Sequence, residues 1–243
     1  TELEDQIREK LSEQIHPYKK EINEALANTA TLDILLAKAQ QTIDMQLCKP
    51  EISSGTTRYI KIFNPQVKEV LWQEGKKFQA IDIDIEQGAC LITGANMAGK
   101  SVILKTVALA QTLFQFGFYV PAEQAEIALV DEVLLCIGDE QSELNGLSSY
   151  ASEMLRVNAI VQDVKAGKNA LILIDELART TNPTEGKAIV NAMLDFLTDK
   201  GARSLITSHY SGIKARCKKM RVKGFVKEHV KGLLTINLSL IHI

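Results

Sequence analysis

Gly94-Ala95-Asn96-Met97-Ala98-Gly99-Lys100-Ser101 fits the pattern G-x-x-x-x-G-K-[ST]. The five residues before it, 89–93, form an apolar run typical of a short buried strand. Residues 102–110 contain neither Gly nor Pro and favour a helix. Strand, glycine-bounded loop and helix together allow backbone N–H groups and a helix N-terminus to surround a polyphosphate. The stretch therefore predicts a nucleotide-binding loop, with an ordinary glycine turn as the alternative.

Two side chains of this loop carry specific chemical expectations. Lys100 is expected to reach the terminal phosphates of a bound nucleotide, and the Ser101 hydroxyl to ligate Mg²⁺. The backbone of residues 94–99 is expected to line the phosphates. The predicted ligands are ATP and Mg²⁺.

A second signal follows at residues 171–176, which read Leu-Ile-Leu-Ile-Asp-Glu. Four aliphatic residues that end in two carboxylates indicate a central parallel strand whose C-terminal end meets the ligand. Asp175 is placed to hold Mg²⁺, directly or through water, and Glu176 to polarise the attacking water. The alternative is a buried strand that ends in two solvated acids.

Several further stretches occur in a definite order along the chain. They are residues 117–122 (GFYVPA), 146–154 (GLSSYASEM), 177–186 (LARTTNPTEG) and 204–210 (SLITSHY). Together with the loop and the acidic strand, this set resembles the ATPase domain of the MutS mismatch-repair family, a branch of the ABC-type ATPases. The resemblance covers roughly residues 29 to 240, and the Asn96-Met97 pair is typical of that family.

The resemblance implies a composite ATPase site in a dimer that forms on ATP binding. Ser148 of one subunit would approach the γ-phosphate held by the other, and His209 would sense that phosphate. Phe78, expected on the strand before the loop, would lie against adenine, with a core phenylalanine as the alternative. Ser148 could equally serve as a helix N-cap.

The sequence departs from the family pattern at several positions. Ala95, Ala98 and Val102 stand where the family usually has Pro, Gly and Thr, and Ala178 and Thr180 stand where it usually has Gly. No phosphate or metal ligand is lost by these changes. They indicate a divergent member of the family.

The first fifty residues read as helices. Apolar residues recur every three or four positions from Leu3 to Leu26, and again from Leu32 to Leu47. Pro17 should kink the first helix, and Asn28-Thr29 should separate the two. We expect an α-helical hairpin over residues 1–50 that acts as a lever or stalk, with a plain packing arm as the alternative.

From residue 51 to 243 the pattern indicates one P-loop ATPase domain. Residues 59–63 and 78–85 read as antiparallel strands, and the later strands alternate with helices at 149–165 and 183–200. We therefore expect the α/β fold of a P-loop NTPase of the ABC type. Its central sheet should be mostly parallel, with an antiparallel portion and the helical hairpin ahead of it.

Composition limits the kinds of partner and the cellular compartment that we expect. The net charge of −2 gives no electrostatic case for nucleic-acid binding, and no apolar stretch is long enough to span a membrane. The four cysteines are far apart in sequence, which favours buried thiols in a cytoplasmic protein. A basic cluster at residues 214–223, expected to precede the last strands, is interpreted as a solvated face rather than a nucleic-acid contact.

Both termini interrupt regular patterns, so we expect a piece of a longer protein. Three function classes follow from the resemblance. The first is DNA mismatch repair or recombination control, with DNA bound through domains absent from this chain. The second is a reactivase-type ATPase that remodels a protein client such as a cobalamin-dependent aminomutase, and the third is an inert nucleotide-binding scaffold.

Overall fold

The structure is a computed structural model of the 243-residue chain. It describes residues 1–95, 99–137, 149–179, 181–222, 225–226, 235–236 and 240–242. By contacts within the chain, these residues divide into two units, 1–46 and 47–243. No helix in these ranges combines the length and apolar character that a membrane crossing requires.

The first unit is entirely helical. Helix α1 spans Glu2–Ile15, a 3₁₀ turn spans His16–Tyr18, and α2 spans Lys19–Met45. The predicted helical segment is thus present, and Pro17 lies in the break as expected. The break predicted at Asn28-Thr29 is wrong, because α2 continues through it. Thr29 donates its hydroxyl to the Ala25 carbonyl at 2.8 Å, which satisfies the polar group inside the helix.

None of the helical residues in this unit is buried. The apolar stripe predicted from Leu3 to Leu26 is exposed along its whole length, with Leu3 at 67% and Leu26 at 64%. The stripe therefore makes no core of its own within the unit.

The second unit is an α/β domain whose described strands form a six-stranded sheet, a four-stranded sheet and one antiparallel two-stranded pair. Its helices are α3 (Pro65–Gln73), α4 (Lys100–Gln115), α5 (Ser149–Lys165) and α6 (Pro183–Asp199). Its strands are β1 (Glu51–Ser53), β2 (Thr57–Ile62), β3 (Ile81–Ile85), β4 (Ala89–Thr93), β5 (Gln124–Ala128), β6 (Glu132–Cys136), β7 (Ala170–Ile174), β8 (Ser204–Thr207), β9 (Lys218–Val222), β10 (Phe225–Val226), β11 (Thr235–Ile236) and β12 (Leu240–His242).

The larger sheet has six strands in the order β12-β9-β4-β8-β7-β6. All neighbours are parallel except the β12–β9 pair, which is antiparallel. The smaller sheet has the order β1-β5-β2-β3, and its β5–β2 and β2–β3 pairs are antiparallel. This confirms the predicted α/β class with a mostly parallel sheet and an antiparallel portion.

The core explains why these runs form strands. All five residues of β7 are buried, as expected for a parallel strand covered on both faces. Strand β3 alternates between buried isoleucines and more exposed aspartates, as a strand with one wet face does. Because β4, β8 and β7 are adjacent and parallel, their C-terminal ends meet at one edge of the sheet.

Two predictions, the start of one strand and the place of the basic cluster, differ from the structure. The strand predicted from residue 78 begins at Ile81, so Phe78 lies in the preceding loop, because the apolar alternation that defines the strand starts only at Ile81. The basic cluster does not simply precede the last strands, because Lys218 is the first residue of β9, whose Met220 and Val222 are buried.

Candidate nucleotide site

The loop between β4 and α4 begins with a glycine that the packing requires. Gly94 has φ of +153°, and a Cβ there would lie 3.1 Å from Cβ of Val222 on β9. Gly99 caps α4 in the left-handed region, with φ of +86°, where glycine carries no steric penalty. Both glycines of the pattern therefore have structural reasons to be there. Asn96, Met97 and Ala98 lie outside the described residues.

Lys100 is the first residue of α4, and its ammonium group lies against the first two residues of the loop. The side chain is only 4% exposed. Its Nζ donates to the carbonyls of Gly94 at 3.0 Å and Ala95 at 3.2 Å. Carbonyls do not neutralise a buried cation, so this position favours a nearby anion. Ser101 follows Lys100 in the first turn of α4, where backbone N–H groups are free of helical partners.

Two carboxylates follow β7, as predicted. Asp175 donates its backbone N–H to the Cys136 carbonyl at 2.8 Å, and its Oδ1 accepts from the Thr207 hydroxyl at 2.6 Å. Glu176 brings Oε1 to 3.9 Å from Nζ of Lys100, and its Oε2 lies 3.7 Å from Arg179. The structure thus brings the loop lysine and the second carboxylate together, although they are far apart in sequence.

The backbone after these acids turns through an unusual conformation. Glu176 and Ala178 have φ of +49° and +61°, in the region that L residues rarely adopt. Ala178 donates its N–H to Oε1 of Glu153 on α5 at 2.8 Å, and its carbonyl accepts from the Tyr210 hydroxyl at 2.7 Å. These two bonds hold the turn that carries Glu176. Thr180 lies outside the described residues.

The Tyr210 side chain, which donates to the Ala178 carbonyl, packs directly against α6 at Gly186. A Cβ at Gly186 would collide with the Tyr210 hydroxyl and ring. Gly186 thus leaves the space that the tyrosine occupies. The sequence contained Tyr210 and Gly186 within the quoted motifs, but nothing in their spacing indicated this contact.

The remaining predicted residues lie at varying distances from this centre. His209 is exposed two residues after β8, and its ring lies 4.1 Å from that of Tyr210. Phe78 lines a small cavity of about 20 Å³ with Gly99 and Val102, so it is close to the start of α4. Ser148 lies outside the described residues, one position before the start of α5.

Thr207 is a site residue that the sequence analysis missed. It is the last residue of β8, is fully buried and contacts both acids, since it also accepts the Glu176 N–H at 2.8 Å. A threonine directly after the aliphatic pair Leu205-Ile206, at the end of a predicted buried strand, was the available signal.

The residues present fit a magnesium-bound nucleotide. The described residues contain no group of three or more His, Cys, Asp or Glu side chains that could cage a metal. Mg²⁺ is commonly held by one or two carboxylates together with waters and substrate phosphates, and the Asp175 carboxylate and the Ser101 hydroxyl are donors of this chemical type. The buried Lys100 ammonium group is a cation of the kind that phosphates pair with.

Three members of the basic cluster contact acids or a carbonyl of their own chain. Lys218 donates to Glu86 at 2.7 Å, and Arg216 donates to Asp199 at 3.3 Å. Lys219 donates to the Ile213 carbonyl at 3.0 Å. Of the four cysteines, Cys90 and Cys136 are buried and all are free.

Comparisons with known proteins agree with this arrangement. The family model described as MutS domain V matches residues 90–235. The chain is 36% identical over 208 residues to endonuclease MutS2 of Caldanaerobacter subterraneus, which covers 84% of the chain and 25% of that protein. It is 32% identical over 219 residues to endonuclease MutS2 of Thermus thermophilus, covering 86% and 28%.

A third relative is DNA mismatch repair protein MutS of Chloroflexus aurantiacus, 33% identical over 213 residues, covering 86% of the chain and 22% of that protein. The chain thus spans about a quarter of the length of these relatives. The family match and the phosphate loop it contains lead to one conclusion: the chain belongs to the MutS domain V family, the ATPase domain of MutS proteins.

Proposed function

We propose that this chain binds Mg-ATP and hydrolyses it to ADP and phosphate, as one half of a dimer that forms on ATP binding. The observation that carries the proposal is the approach of Glu176 to Lys100 at 3.9 Å, at the N-terminus of α4. A phosphate-binding cation and a carboxylate able to orient water are the two groups that this reaction needs side by side.

Lys100 and the start of α4 bind the phosphates in this proposal. The ammonium group leaves its contacts with the carbonyls of Gly94 and Ala95 and pairs with phosphate oxygens instead. The free N–H groups of the first turn add partial positive charge. Phe78, next to Gly99 in the same cavity, stacks on adenine.

The carboxylates divide the remaining chemistry. Asp175 and Ser101 hold Mg²⁺, which neutralises charge on the phosphates when bound. Glu176 orients the attacking water and accepts its proton, while Lys100 stabilises negative charge on the transferred group. His209, at the same edge of the sheet, donates to the γ-phosphate.

The dimer completes the site through α5. Ser148 immediately precedes this helix, so it and the helix N-terminus would approach the γ-phosphate held by the other subunit. Glu153, within the first two turns of α5, binds the Ala178 N–H two residues after Glu176. That contact would transmit the closure of the dimer to the subunit's own catalytic turn.

At the level of the longer protein, we assign the chain to DNA mismatch repair or recombination control. The relative named DNA mismatch repair protein MutS supports the repair part of that assignment. Residues 1–50 would act as the lever and residues 51–243 as the ATPase domain. Because Arg216 and Lys218 of the basic cluster pair with the chain's own acids, DNA would be bound by other segments of the protein.

The nucleotide-binding claim is tested with a matched lysine pair. Lys100→Ala removes the buried ammonium group and should abolish tight Mg-ATP binding in a fluorescence titration. Lys105→Ala removes an exposed lysine from the same helix and should leave binding unchanged. Equal ATP affinity in the two variants would contradict the proposal.

Testing the dimer requires a variant that binds ATP but does not hydrolyse it. Glu176→Gln should sediment as a dimer with Mg-ATP and as a monomer without it. Ser148→Arg, added to that variant, should block the dimer by bulk and charge. A Glu176→Gln protein that stays monomeric with saturating ATP would refute the composite site for this chain.

A further inference from the structure

Thr207 occupies the centre of the catalytic edge of the sheet. Strand β8 lies between β4, which leads into the phosphate loop, and β7, which leads into the two acids. Thr207 is the last residue of β8, pairs with Ile92 on β4 and is fully buried. Its side chain therefore lies between the phosphate-binding and the acidic elements.

The Thr207 hydroxyl makes two hydrogen bonds in opposite senses. It donates its single proton to Oδ1 of Asp175 at 2.6 Å and accepts the backbone N–H of Glu176 at 2.8 Å. A hydroxyl has one proton to donate and lone pairs to accept with, so the two bonds fix its rotation. One buried oxygen thus ties together both acids.

Each bond restrains a different part of the site. The bond to Oδ1 restrains the orientation of the Asp175 carboxylate, which would hold the metal in the proposed function. The bond from the Glu176 N–H restrains a residue whose φ of +49° is unfavourable for any L side chain. That backbone conformation directs the Glu176 carboxylate to within 3.9 Å of Lys100.

We propose that Thr207 is a positioning residue for ATP hydrolysis, which sets both the metal-binding carboxylate and the water-orienting carboxylate. The inference rests on the proposed ATPase function and adds a residue to it. Outer-shell groups that orient metal ligands are commonly needed for full activity. Thr207 acts through Asp175 and Glu176 without touching the nucleotide itself.

Three variants and a control separate positioning from simple stability. Thr207→Val keeps the shape and removes both hydrogen bonds, whereas Thr207→Ser keeps the hydroxyl. Thr207→Ala removes the hydroxyl and adds no atom to the buried site, so it replaces Thr207→Val in the test if the valine variant does not fold. Thr57→Val is the control, since it removes another buried hydroxyl, one that accepts the Ala128 N–H at 3.0 Å in the smaller sheet.

The measurements are kcat, KM for ATP, and the Mg²⁺ concentration that half-saturates hydrolysis. For Thr207→Val, kcat should fall about 10–100-fold and the Mg²⁺ requirement should rise, as expected for loss of an outer-shell partner. ATP affinity without Mg²⁺ should change little, because Lys100 is untouched. Thr207→Ser should restore kcat and the Mg²⁺ requirement to near parental values.

The outcomes distinguish this inference from the proposed function. If the parent chain neither binds nor hydrolyses Mg-ATP, the proposed function fails and the inference falls with it. If the parent hydrolyses ATP and Thr207→Val matches it in kcat and Mg²⁺ requirement, only the role of Thr207 is refuted. Thr207 would likewise have a purely structural role if Thr207→Val and Thr57→Val lost similar thermal stability while kcat and the Mg²⁺ requirement stayed unchanged.

Discussion

The substitution Gly186→Ala tests how the catalytic turn is held. An added Cβ would collide with the Tyr210 hydroxyl, whose hydrogen bond to the Ala178 carbonyl restrains the turn after Glu176. Tyr210 must therefore move, and the hydrogen bond must lengthen or break. The effect should appear both in stability and in hydrolysis.

The size of the effect follows from three opposing contributions. Alanine in place of glycine inside α6 gains about 0.5–1 kcal/mol of helix propensity. Overpacking costs about 1–3 kcal/mol, and loss of a hydrogen bond costs about 1 kcal/mol. The net loss is roughly 2 kcal/mol, which lowers Tm by about 4–8 °C in a domain of this size.

Thermal unfolding followed by circular dichroism, with and without Mg-ATP, measures this loss. Gly55→Ala is the control, because a Cβ at Gly55 meets no atom within 4 Å and its Tm should stay near the parental value. Tyr210→Phe removes the nearest colliding atom, so Gly186→Ala should cost less in that background, with a coupling of about 0.5 kcal/mol or more. Strictly additive losses, or a raised Tm for Gly186→Ala, would refute the packing argument.

Three further results are expected. Phe78→Ala should weaken ATP binding several-fold in a fluorescence titration while thermal unfolding keeps its midpoint; lost stability with normal affinity would favour a core role for Phe78. Asn182→Ala removes the side chain that caps α6 at the Thr184 N–H, 2.9 Å away, and should lower the unfolding free energy by about 1 kcal/mol in urea. Burial raises the pKa of the Cys90 thiol from 9.0 to about 12, so the folded state keeps its proton while the unfolded state loses it. The contribution of Cys90 to stability is therefore complete below pH 9 and declines between pH 9 and 12, and Cys90→Ala should flatten the fall of unfolding free energy measured over that interval.

The sequence predicts best where one local pattern dominates. The helix predicted at 149–165 begins and ends as expected, and the run ending at Ile174 forms a buried strand with a parallel neighbour on each side, although it lies next to the edge strand rather than at the centre of the sheet. In both, hydrophobic periodicity agrees with the tertiary environment. Helix α3, which the sequence analysis missed, carried a local signal in Asn64 as N-cap and Pro65 at the first position.

Local sequence patterns did not predict the contacts between segments that are distant in sequence. The Ala178 turn depends on Glu153 and Tyr210, 25 and 32 positions away, and no local signal pairs them. Thr207 is a short polar side chain at the end of a buried strand, and only the pairing of β7 with β8 in the sheet brings it to Asp175. The individual acids were predictable from sequence, whereas the groups that orient them required the fold.

The central claim is that Glu176 orients the attacking water while Lys100 binds the phosphates. The most direct test is ATP affinity and steady-state hydrolysis of Glu176→Gln on a dimeric preparation, with Glu69→Gln, an exposed acid on α3, as control. Glu176→Gln should bind Mg-ATP as tightly as the parent, and its hydrolysis rate should be lower by a factor of about a hundred or more. Equal hydrolysis rates in Glu176→Gln and the parent would contradict the account.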